Sequence, residues 1–391
     1  MAEGTERLDE IKQNAGKRKR RRAIIITVAA VLVIAAVIVG TIFFIRYRTY
    51  NSYSVSSSID LGVSSDNLSL HKFGDGYIQC TGDGIIYFDS KHVLWSENFE
   101  MSQPVLDICG DYIAVADMKQ SDIYIYDKSG LYRRISSKHE IIDVEISSAG
   151  MVALATNDND ANFIELKDKE GNDIINAKSV FSASGYLTDI TLAPDGKTLA
   201  AAFNYVSQGM LESKVLFYDF SGDKFGEDML VGGFNQYEDT LLTNVEFLGS
   251  NTVCAVGDNA LSFYSYSGSP SVRYEELDID WEIQSLHFTD NYVMIIIRDN
   301  TGDHTYRAKV YSASGEVVAE VGFDFTYNKA AIAGKNILLY STSSSSCRLY
   351  AFSGIERFAG SFSEPSDFIL PNGSRNFILT GPGKTSFIQL R

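Results

Sequence analysis

The sequence predicts an all-β chain, a β-propeller of four-stranded blades that follows one N-terminal transmembrane helix. Three observations support this fold class: a turn motif that recurs about every 44 residues, several short strands in each repeat, and one long uncharged segment near the N-terminus. The chain has 391 residues, of which 45% are hydrophobic, so it is long enough to bury a large core. The formal net charge of −16 argues against nucleic-acid binding, which needs an exposed basic surface.

A basic cluster and an uncharged segment define the N-terminus. The cluster has six consecutive members, Lys17, Arg18, Lys19, Arg20, Arg21 and Arg22. Residues 23–45 follow without a charge and would extend roughly 34 Å as a helix, enough to cross a hydrocarbon core of about 30 Å. The alternative is a signal peptide, whose apolar region is usually about 7–15 residues long and ends at a small-residue cleavage site.

The charge distribution predicts the orientation in the membrane. Basic residues remain on the cytoplasmic side, so we expect residues 1–22 to be a cytoplasmic tail that contacts the membrane only at its surface. Residues 23–45 would then be the single membrane span and residues 46–52 a linker. Residues 53–391 would form the extracytoplasmic propeller of a cell-membrane protein.

A turn motif recurs along residues 53–391. It consists of an aliphatic or aromatic residue, tyrosine, two further residues, serine and glycine. Full copies end at Gly130, Gly222, Gly268, Gly315 and Gly354, and degenerate copies end at Lys91 and Gly171. Glycine supplies the positive φ that a tight reversal needs, and serine bonds locally to the backbone. Each copy therefore predicts one strand that enters a turn and a second strand that leaves it.

Another pair of strands precedes each turn. Examples are 105–108 with 112–116, 187–190 with 198–202, and 242–245 with 252–256. Four strands in a repeat of about 44 residues are typical of a propeller blade. The last unit ends at Arg391 before its fourth strand, and residues 53–61 can supply that strand and close the ring. We therefore predict eight blades, with seven as the alternative if one unit has been divided wrongly.

The strand periodicity and the Tyr-x-x-Ser-Gly turn resemble the quinoprotein-like and WD40-like propellers. Over residues 52–391, the chain is similar to a family of single-pass, membrane-anchored propeller proteins of Gram-positive bacteria with unassigned function. The Trp-Asp dipeptide of WD40 blades is absent. Trp95 and Trp281 depart from the tryptophan-rich docking motif of quinoprotein dehydrogenases. The resemblance therefore implies the fold, and we expect no quinone or other cofactor.

The search for catalytic and metal-binding motifs predicts no enzyme and no metal site. The five histidines are isolated, and no HExxH, GxSxG, SxxK or P-loop pattern occurs. The segment 157–162 is rich in Asn and Asp, but an EF-hand frame from Asp158 places Phe163 where glycine is required. We interpret it, like 299–303, as a solvated loop, and 181–185 as a turn. Cys80, Cys109, Cys254 and Cys347 are expected to be buried, and a Cys80–Cys109 disulfide is left open.

Loop lengths indicate one face of the propeller as the binding face. The long segments are 157–161, 204–214 and 298–305 inside blades, and 232–240 between blades. Binding residues concentrate on long loops that a rigid scaffold holds. We therefore expect a ligand or partner to dock near Tyr205, Phe234, Tyr237, Asp299 and Asp303. The alternative is that these loops are tolerated insertions.

The sequence favours a non-enzymatic binding or scaffold module for a protein or cell-envelope partner. The alternative is a propeller enzyme, a lyase, hydrolase or quinone-type oxidoreductase, that uses the central channel. Asp107, Asp143, Asp189 and Asn244 would be its candidates, because they recur at positions that we take to be equivalent in their blades. A repeated structural hydrogen bond explains this recurrence better than one catalytic centre.

Overall fold

The computed structural model describes residues 26–41, 43–44, 47–62, 68–222, 229–363 and 366–391. The basic cluster Lys17–Arg22 lies outside these residues. The chain divides into two compact units, Met1–Tyr50 and Asn51–Arg391. In the first unit, residues 26–41 form a helix, α1, with exposed side chains. Within the described ranges, no helix combines the length and the apolar character needed to cross a membrane.

The second unit is an eight-bladed β-propeller in which each blade is a four-stranded antiparallel sheet. Its strands are β1 (Tyr53–Ile59), β2 (Ser69–Phe73), β3 (Gly76–Thr81), β4 (Gly84–Phe88), β5 (Val93–Asn98), β6 (Pro104–Cys109), β7 (Tyr112–Asp117), β8 (Asp122–Asp127), β9 (Gly130–Ser136), β10 (Glu140–Ile146), β11 (Val152–Asp158), β12 (Ala161–Lys167), β13 (Asp173–Val180), β14 (Tyr186–Leu192), β15 (Thr198–Ser207) and β16 (Met210–Asp219). They continue as β17 (Leu230–Glu238), β18 (Leu242–Leu248), β19 (Thr252–Gly257), β20 (Leu261–Tyr266), β21 (Pro270–Glu276), β22 (Ile283–Thr289), β23 (Tyr292–Arg298), β24 (Tyr306–Ser312), β25 (Val317–Phe323), β26 (Lys329–Ile332), β27 (Asn336–Ser341), β28 (Ser346–Ala351), β29 (Glu356–Ser361), β30 (Phe368–Pro371), β31 (Asn376–Gly381) and β32 (Lys384–Leu390).

The blades follow the chain in order. Blade 1 is β2–β5, blade 2 is β6–β9, blade 3 is β10–β13 and blade 4 is β14–β17. Blade 5 is β18–β21, blade 6 is β22–β25, blade 7 is β26–β29, and blade 8 combines β30–β32 with β1. The first strands of neighbouring blades lie against one another, as β6, β10, β14 and β18 do. The first strands therefore surround the central channel.

The N-terminal strand closes the ring, as the sequence predicts. β1 is antiparallel to β32, with Tyr53 opposite Leu390 and Ile59 opposite Thr385. Beyond the strand pair, the Asn51 N–H donates to the Arg391 carbonyl at 2.9 Å. This pairing confirms eight blades and covers the open edge that blade 8 would otherwise present.

The core consists of apolar clusters between adjacent blades. Phe217 of blade 4 packs against Tyr264 of blade 5, with ring centroids 5.6 Å apart. The second strands lie between two blades, so both of their faces are covered. All residues of β3, β19 and β27 are buried. This explains why these strands are nearly continuous apolar runs in the sequence rather than alternating ones.

The recurrent turn glycines adopt the backbone conformation that the motif predicts. Gly130, Gly222, Gly268, Gly315 and Gly354 all have positive φ. At Gly315 the surroundings are also crowded, because an added Cβ would lie 2.3 Å from Cβ of Tyr274 in the neighbouring blade. The glycine at this turn therefore permits both the reversal and close packing of blades 5 and 6.

Three of the four segments predicted as long loops are strands, so that prediction is wrong. β11 continues to Asp158 and leaves only residues 159–160 as a turn, while β15 and β16 extend to residues 207 and 210. Most of 232–240 belongs to β17. The segment 299–305 is a loop, as predicted. The missed ends of β11, β15 and β16 continue past the core, where burial no longer imposes an apolar pattern.

The structure also answers the predictions for residues 181–185 and for the four cysteines. Residues 181–185, predicted as a turn, include a single helical turn, α2 (Phe181–Ser184). All four cysteines are free thiols, so the disulfide between Cys80 and Cys109 that the sequence left open is not formed. Burial raises the pKa of Cys80 to about 12 and that of Cys109 to about 11, so both thiols stay protonated and unreactive.

Candidate functional site

One end of the propeller, which we call the upper face, carries the turns between second and third strands and the connections between blades. These features share one end because successive strands of a blade are antiparallel. On this face, the hairpin of β15 and β16 is the longest of its kind among the described residues. Each strand has ten residues, whereas second and third strands of the other blades have five to seven. The β14 pairing ends at Asn204, so the hairpin tip projects beyond its own sheet.

The hairpin tip presents apolar side chains to solvent. Gln208 and Gly209 form the two-residue turn and both have positive φ, 52° and 86°. This combination is that of a type I′ turn, which matches the twist of antiparallel strands. On either side of the turn, Val206 is 73% exposed and Met210 is 61% exposed. A rigid turn thus holds two large apolar groups in water.

Further apolar groups lie at the base of the hairpin. Tyr186 is 61% exposed and stacks on Phe181 of α2, with ring centroids 4.6 Å apart. Leu241, in the connection to blade 5, is also exposed. Val206 pairs with Leu211 and Ser207 with Met210, so Val206 and Met210 lie on opposite sides of the hairpin. We call Tyr186, Val206, Met210 and Leu241, which lie on both sides of the hairpin and at its base, the blade 4 patch. Sequence reasoning missed this patch, although Gln208-Gly209 between two alternating segments is a signal for a two-residue hairpin.

The structure brings three of the five predicted site residues together on blade 4, but two of them pack between blades 4 and 5. Tyr205 lies on the hairpin, half-buried, and its hydroxyl donates to Glu212 at 2.8 Å. Phe234 stacks on Tyr264 of blade 5 with ring centroids 4.5 Å apart. Tyr237 is fully buried and shares a hydrogen bond with the Tyr264 hydroxyl. Phe234 and Tyr237 therefore hold blades 4 and 5 together and support the hairpin from below.

The other two predicted residues, Asp299 and Asp303, lie on the loop of blade 6. The Asp299 side chain is 1% exposed and accepts from the Arg307 guanidinium at 2.9 Å. It also accepts from the Thr301 backbone N–H at 3.0 Å. The Thr301 hydrogen bonds, followed by the Arg307 charge, lower the pKa of Asp299 to about 2. Asp299 thus stabilises the loop, whereas Asp303 is exposed to solvent.

The central channel carries a cluster of carboxyl groups on the first strands of blades 2–5: Asp107, Asp143, Glu145, Asp189 and Glu246. Four of them bind a backbone N–H of the next blade, Asp143 through that of Ile190. Asp107 accepts from Ile146 at 2.7 Å, Glu145 from Leu192 at 3.2 Å, and Asp189 from Val245 at 2.8 Å. These bonds confirm the structural interpretation at Asp107 and Asp189.

The predicted alignment of these carboxyls is wrong at one position. Asp107 lies opposite Ala114 and Glu145 lies opposite Ala153, and each accepts from the same backbone position of the following blade. Asp107 is therefore equivalent to Glu145, two residues beyond Asp143. The first strand of blade 3 contains a bulge between Ile141 and Asp143 that blade 2 lacks. This bulge adds one residue and accounts for one of the two residues of the offset, which an ungapped pattern cannot show.

Burial is the main cause of unusual proton affinity in the channel. It raises the pKa of Asp107 to about 6 and that of Glu246 to about 8, and nearby carboxylates add to both shifts. Burial likewise raises the pKa of Asp143, Glu145 and Asp189. Among the described residues, no group of three His, Cys, Asp or Glu side chains is arranged to hold a metal ion. The channel therefore favours protonated carboxyls.

The upper face also contains two concavities. A shallow one of about 610 Å³ lies between blades 2 and 3 and is lined by Lys119, Gln120, Ser121, Lys138, His139, Glu140, Asn157, Asp158 and Asn159. A smaller one of about 60 Å³ lies on blade 1, around Gln79. The first is polar on all sides and includes part of the Asn- and Asp-rich segment of the sequence. The second extends to a fully buried amide.

Comparison with solved structures shows the propeller fold. The chain is similar to BamB from Moraxella catarrhalis, with a TM-score of 0.53 and 14% identity over 87% of this chain and 100% of that chain. The computationally designed Ika8 protein gives a TM-score of 0.56 and 11% identity over 88% and 100%. Apo AztD from Citrobacter koseri gives 0.52 and 10% over 76% and 86%. At these identities the likeness concerns the fold alone.

Sequence comparison shows the family. No curated protein matches the chain. The profile of DUF5711, a family of unknown function, matches residues 46–390, which is most of the chain and includes the whole propeller. The chain therefore belongs to the DUF5711 family.

Proposed function

We propose that this protein is a membrane-anchored, extracytoplasmic propeller that binds a protein of the cell envelope through the blade 4 patch. The observation that carries the proposal is the exposure of Val206 and Met210 at the tip of the longest hairpin. Complete burial of one such side chain at an interface contributes about 1.5–3 kcal/mol to the free energy of binding. A folded chain leaves such groups in water at little benefit to itself, so their burial by a partner is the favoured use.

The hairpin is held in one conformation before any partner arrives. The Asn204 side chain bonds to Leu242 at the start of β18 in blade 5, and the Ser213 hydroxyl donates to the Thr240 carbonyl at 2.5 Å. Beyond these bonds, the Asp239 N–H donates to the Leu211 carbonyl at 2.9 Å. A prearranged surface loses little conformational entropy on binding, which favours recognition.

Membrane anchoring is part of the proposal and rests on the sequence. Residues 23–45 carry no charge and follow six basic residues, which is the pattern of an uncleaved anchor with a cytoplasmic N-terminus. β1 is the outer strand of blade 8 and starts at the lower face, opposite the blade 4 patch, because every fourth strand ends at the upper face.

Photo-cross-linking in intact cells tests this function. A photoreactive phenylalanine analogue replaces Met210 in the full-length protein, and in a matched control it replaces Val317, which is 50% exposed on the outer strand of blade 6. We expect one dominant protein adduct from position 210 that is absent from position 317. Identical adducts from both positions, or none from position 210, would contradict the proposal.

A second candidate function is catalysis in the central channel, and Glu246 is the residue that favours it. Its pKa is raised to about 8, mainly by burial, and no described residue hydrogen-bonds its carboxyl. A protonated carboxyl with a free proton is suited to general acid catalysis. The test compares the wild type with the Glu246→Gln variant. If the wild type turns over a substrate and the variant does not, while the photo-cross-linked adduct from position 210 is unchanged, the result would favour catalysis in the channel over protein binding.

A further inference from the structure

The side of the β15–β16 hairpin that faces blade 5 presents apolar groups to solvent. Val206 lies two residues beyond Asn204 on β15, so both side chains are on the same side of the hairpin. The Asn204 side chain bonds to Leu242 at the start of blade 5, which identifies this side as the one toward blade 5. Val206 pairs with Leu211 and is 73% exposed, and Leu241 in the adjoining connection is 40% exposed.

Four exposed carboxylates lie beside these apolar groups on the upper face. They come from three short segments: the connection between blades 4 and 5, the β19–β20 turn, and the connection between blades 5 and 6. We call them the acidic ridge, and its members are Asp239, Asp258, Asp278 and Asp280.

Hydrogen bonds fix the acidic ridge next to the hairpin. Asp258 Oδ1 accepts from the Leu241 N–H at 2.8 Å, and the Asn259 side chain donates to the Asp239 carbonyl at 3.1 Å. Trp281 Nε1 donates to the Asp258 carbonyl at 2.6 Å, which attaches the connection between blades 5 and 6 to the β19–β20 turn. The apolar groups and the carboxylates therefore belong to one prearranged surface.

The described residues do not neutralise the acidic ridge. Within the described ranges, none of its four carboxylates forms an ion pair. Two basic residues of this region have other partners. Arg298 pairs with Glu282 at 3.5 Å, and Lys214 lies on the opposite side of the hairpin, over the rings of Phe203 and Tyr205. Because like charges held close together repel one another, a cation placed among these carboxylates is stabilised.

We propose that the blade 5 side of the hairpin binds a segment of the partner protein that carries both basic and apolar side chains. This inference rests on the proposed function and specifies the chemistry of the partner. The apolar side chains of the segment cover Val206 and Leu241, and its lysine or arginine side chains lie over the acidic ridge. Apolar contact supplies affinity, whereas charge complementarity raises the association rate and selects the partner.

The same charges disfavour two other occupants of this surface. A second copy of the chain is a poor match because the chain has a net charge of −16. A membrane surface of anionic lipid would also be repelled by the acidic ridge. A basic protein segment is the occupant that fits both the apolar groups and the carboxylates.

Photo-cross-linking from the blade 5 side tests this inference. The photoreactive phenylalanine analogue replaces Val206 in the full-length protein, and mass spectrometry identifies the cross-linked segment of the partner. We expect a segment with a net positive charge in which lysine or arginine residues lie beside apolar ones. An adduct on an acidic or uncharged segment would overturn the inference. If position 210 gives its adduct and position 206 gives none, the inference fails while the proposed function stands.

Charge neutralisation separates the acidic ridge from net charge. The ridge variant combines Asp239→Asn, Asp278→Asn and Asp280→Asn with the analogue at position 206, and it keeps Asp258 because that side chain holds Leu241. The matched control neutralises three exposed aspartates in turns of the lower face: Asp75→Asn, Asp195→Asn and Asp290→Asn. In cell envelopes at about 50 mM KCl, we expect the ridge variant to lower the adduct yield at least about fivefold and the control to stay within about twofold.

Salt gives a second measure of the same contact. Raising KCl to about 500 mM screens exposed charges, so the adduct yields of the ridge variant and the wild-type ridge should become equal within about twofold. Equal yields already at about 50 mM KCl would overturn the inference. The proposed function would still stand in that case if position 210 gave its adduct, whereas the absence of adducts from both positions would refute both.

Discussion

Both polar atoms of the Asn204 side chain hydrogen-bond to the backbone of Leu242. Asn204 Nδ2 donates to the Leu242 carbonyl at 2.9 Å, and Asn204 Oδ1 accepts from the Leu242 N–H at 3.0 Å. Asn162 binds Leu187 in a related way one blade earlier, with its Oδ1 accepting from the Leu187 N–H at 3.1 Å. One amide thus joins the projecting hairpin of blade 4 to the first strand of blade 5.

These two hydrogen bonds predict a large loss of stability in the Asn204→Leu variant. The Leu242 N–H would remain buried without its acceptor, and the Leu242 carbonyl would keep only the long bond from the Thr188 hydroxyl at 3.4 Å. A buried group left unpaired costs about 1–3 kcal/mol. We expect the free energy of unfolding to fall by roughly 2–5 kcal/mol in urea denaturation. Asn300→Ala, which changes an exposed loop asparagine, is the control and should stay within about 0.5 kcal/mol. If Asn204→Leu also changed the free energy of unfolding by no more than about 0.5 kcal/mol, the two Asn204 hydrogen bonds would not contribute to stability.

The channel carboxyls predict that stability falls as the pH rises. The folded-state pKa values of Asp107, about 6, and Glu246, about 8, exceed the usual unfolded values near 4. The folded state therefore binds more protons, so this stabilisation is complete below about pH 4 and is lost as the pH rises through the folded pKa values. His71 and His287 oppose the trend below about pH 6.5, because burial lowers their pKa.

The measurement is the urea midpoint between pH 5 and 8.5. We expect the midpoint to decrease toward pH 8.5 and the decrease to become smaller in Glu246→Gln, which stays neutral throughout. Glu316→Gln, which changes an exposed glutamate in the turn between β24 and β25, is the control, and its urea midpoint should follow that of the wild type. A midpoint that rises over this range would mean that the channel carboxylates are ionised and stabilised by contacts other than those described.

Two turn glycines form a matched pair. Gly315 and Gly354 have φ of 84° and 83°. An added Cβ at Gly315 would lie 2.3 Å from the Tyr274 Cβ, whereas one at Gly354 meets nothing within 4 Å. Gly354→Ala should therefore lower the free energy of unfolding by only about 1–2 kcal/mol, which is the penalty for a residue with a Cβ at positive φ. Gly315→Ala should cost at least about 2 kcal/mol more because blades 5 and 6 must separate. Equal melting temperatures of the two variants would refute the packing argument.

The blade 4 patch predicts a separation of stability from binding. Val206→Ser combined with Met210→Ser changes two exposed side chains, so the free energy of unfolding should move by less than about 0.5 kcal/mol. Recovery of the partner with a chemical cross-linker, which needs no photoreactive residue at position 210, should fall at least about fivefold because the apolar contact is removed. Val317→Ser is the control for a general loss of exposed valine. Unchanged recovery in the double variant would place the interaction elsewhere.

Sequence patterns were sufficient for features that arise from local chemistry. A glycine with positive φ occupies the reversal after the third strand in blades 2–7, so Gly130 and its counterparts mark the repeat. The strand at Tyr53–Ile59 has no partner within its own repeat, which is why it predicts closure with the last blade. Strand extensions such as Tyr205–Ser207 escaped prediction because residues that project beyond a core carry no burial pattern.

The sequence by itself determined the all-β class, the repeat, the closure by β1 and the uncharged N-terminal segment, because each follows from periodicity or composition along a short stretch. Only the tertiary structure decided which polar and aromatic residues meet. Phe234 and Tyr237 became core residues because blade 5 presents Tyr264 to them. Gln79 became an unpaired amide because its neighbours in space offer no partner. Such contacts join residues distant in the chain, and no local pattern encodes them.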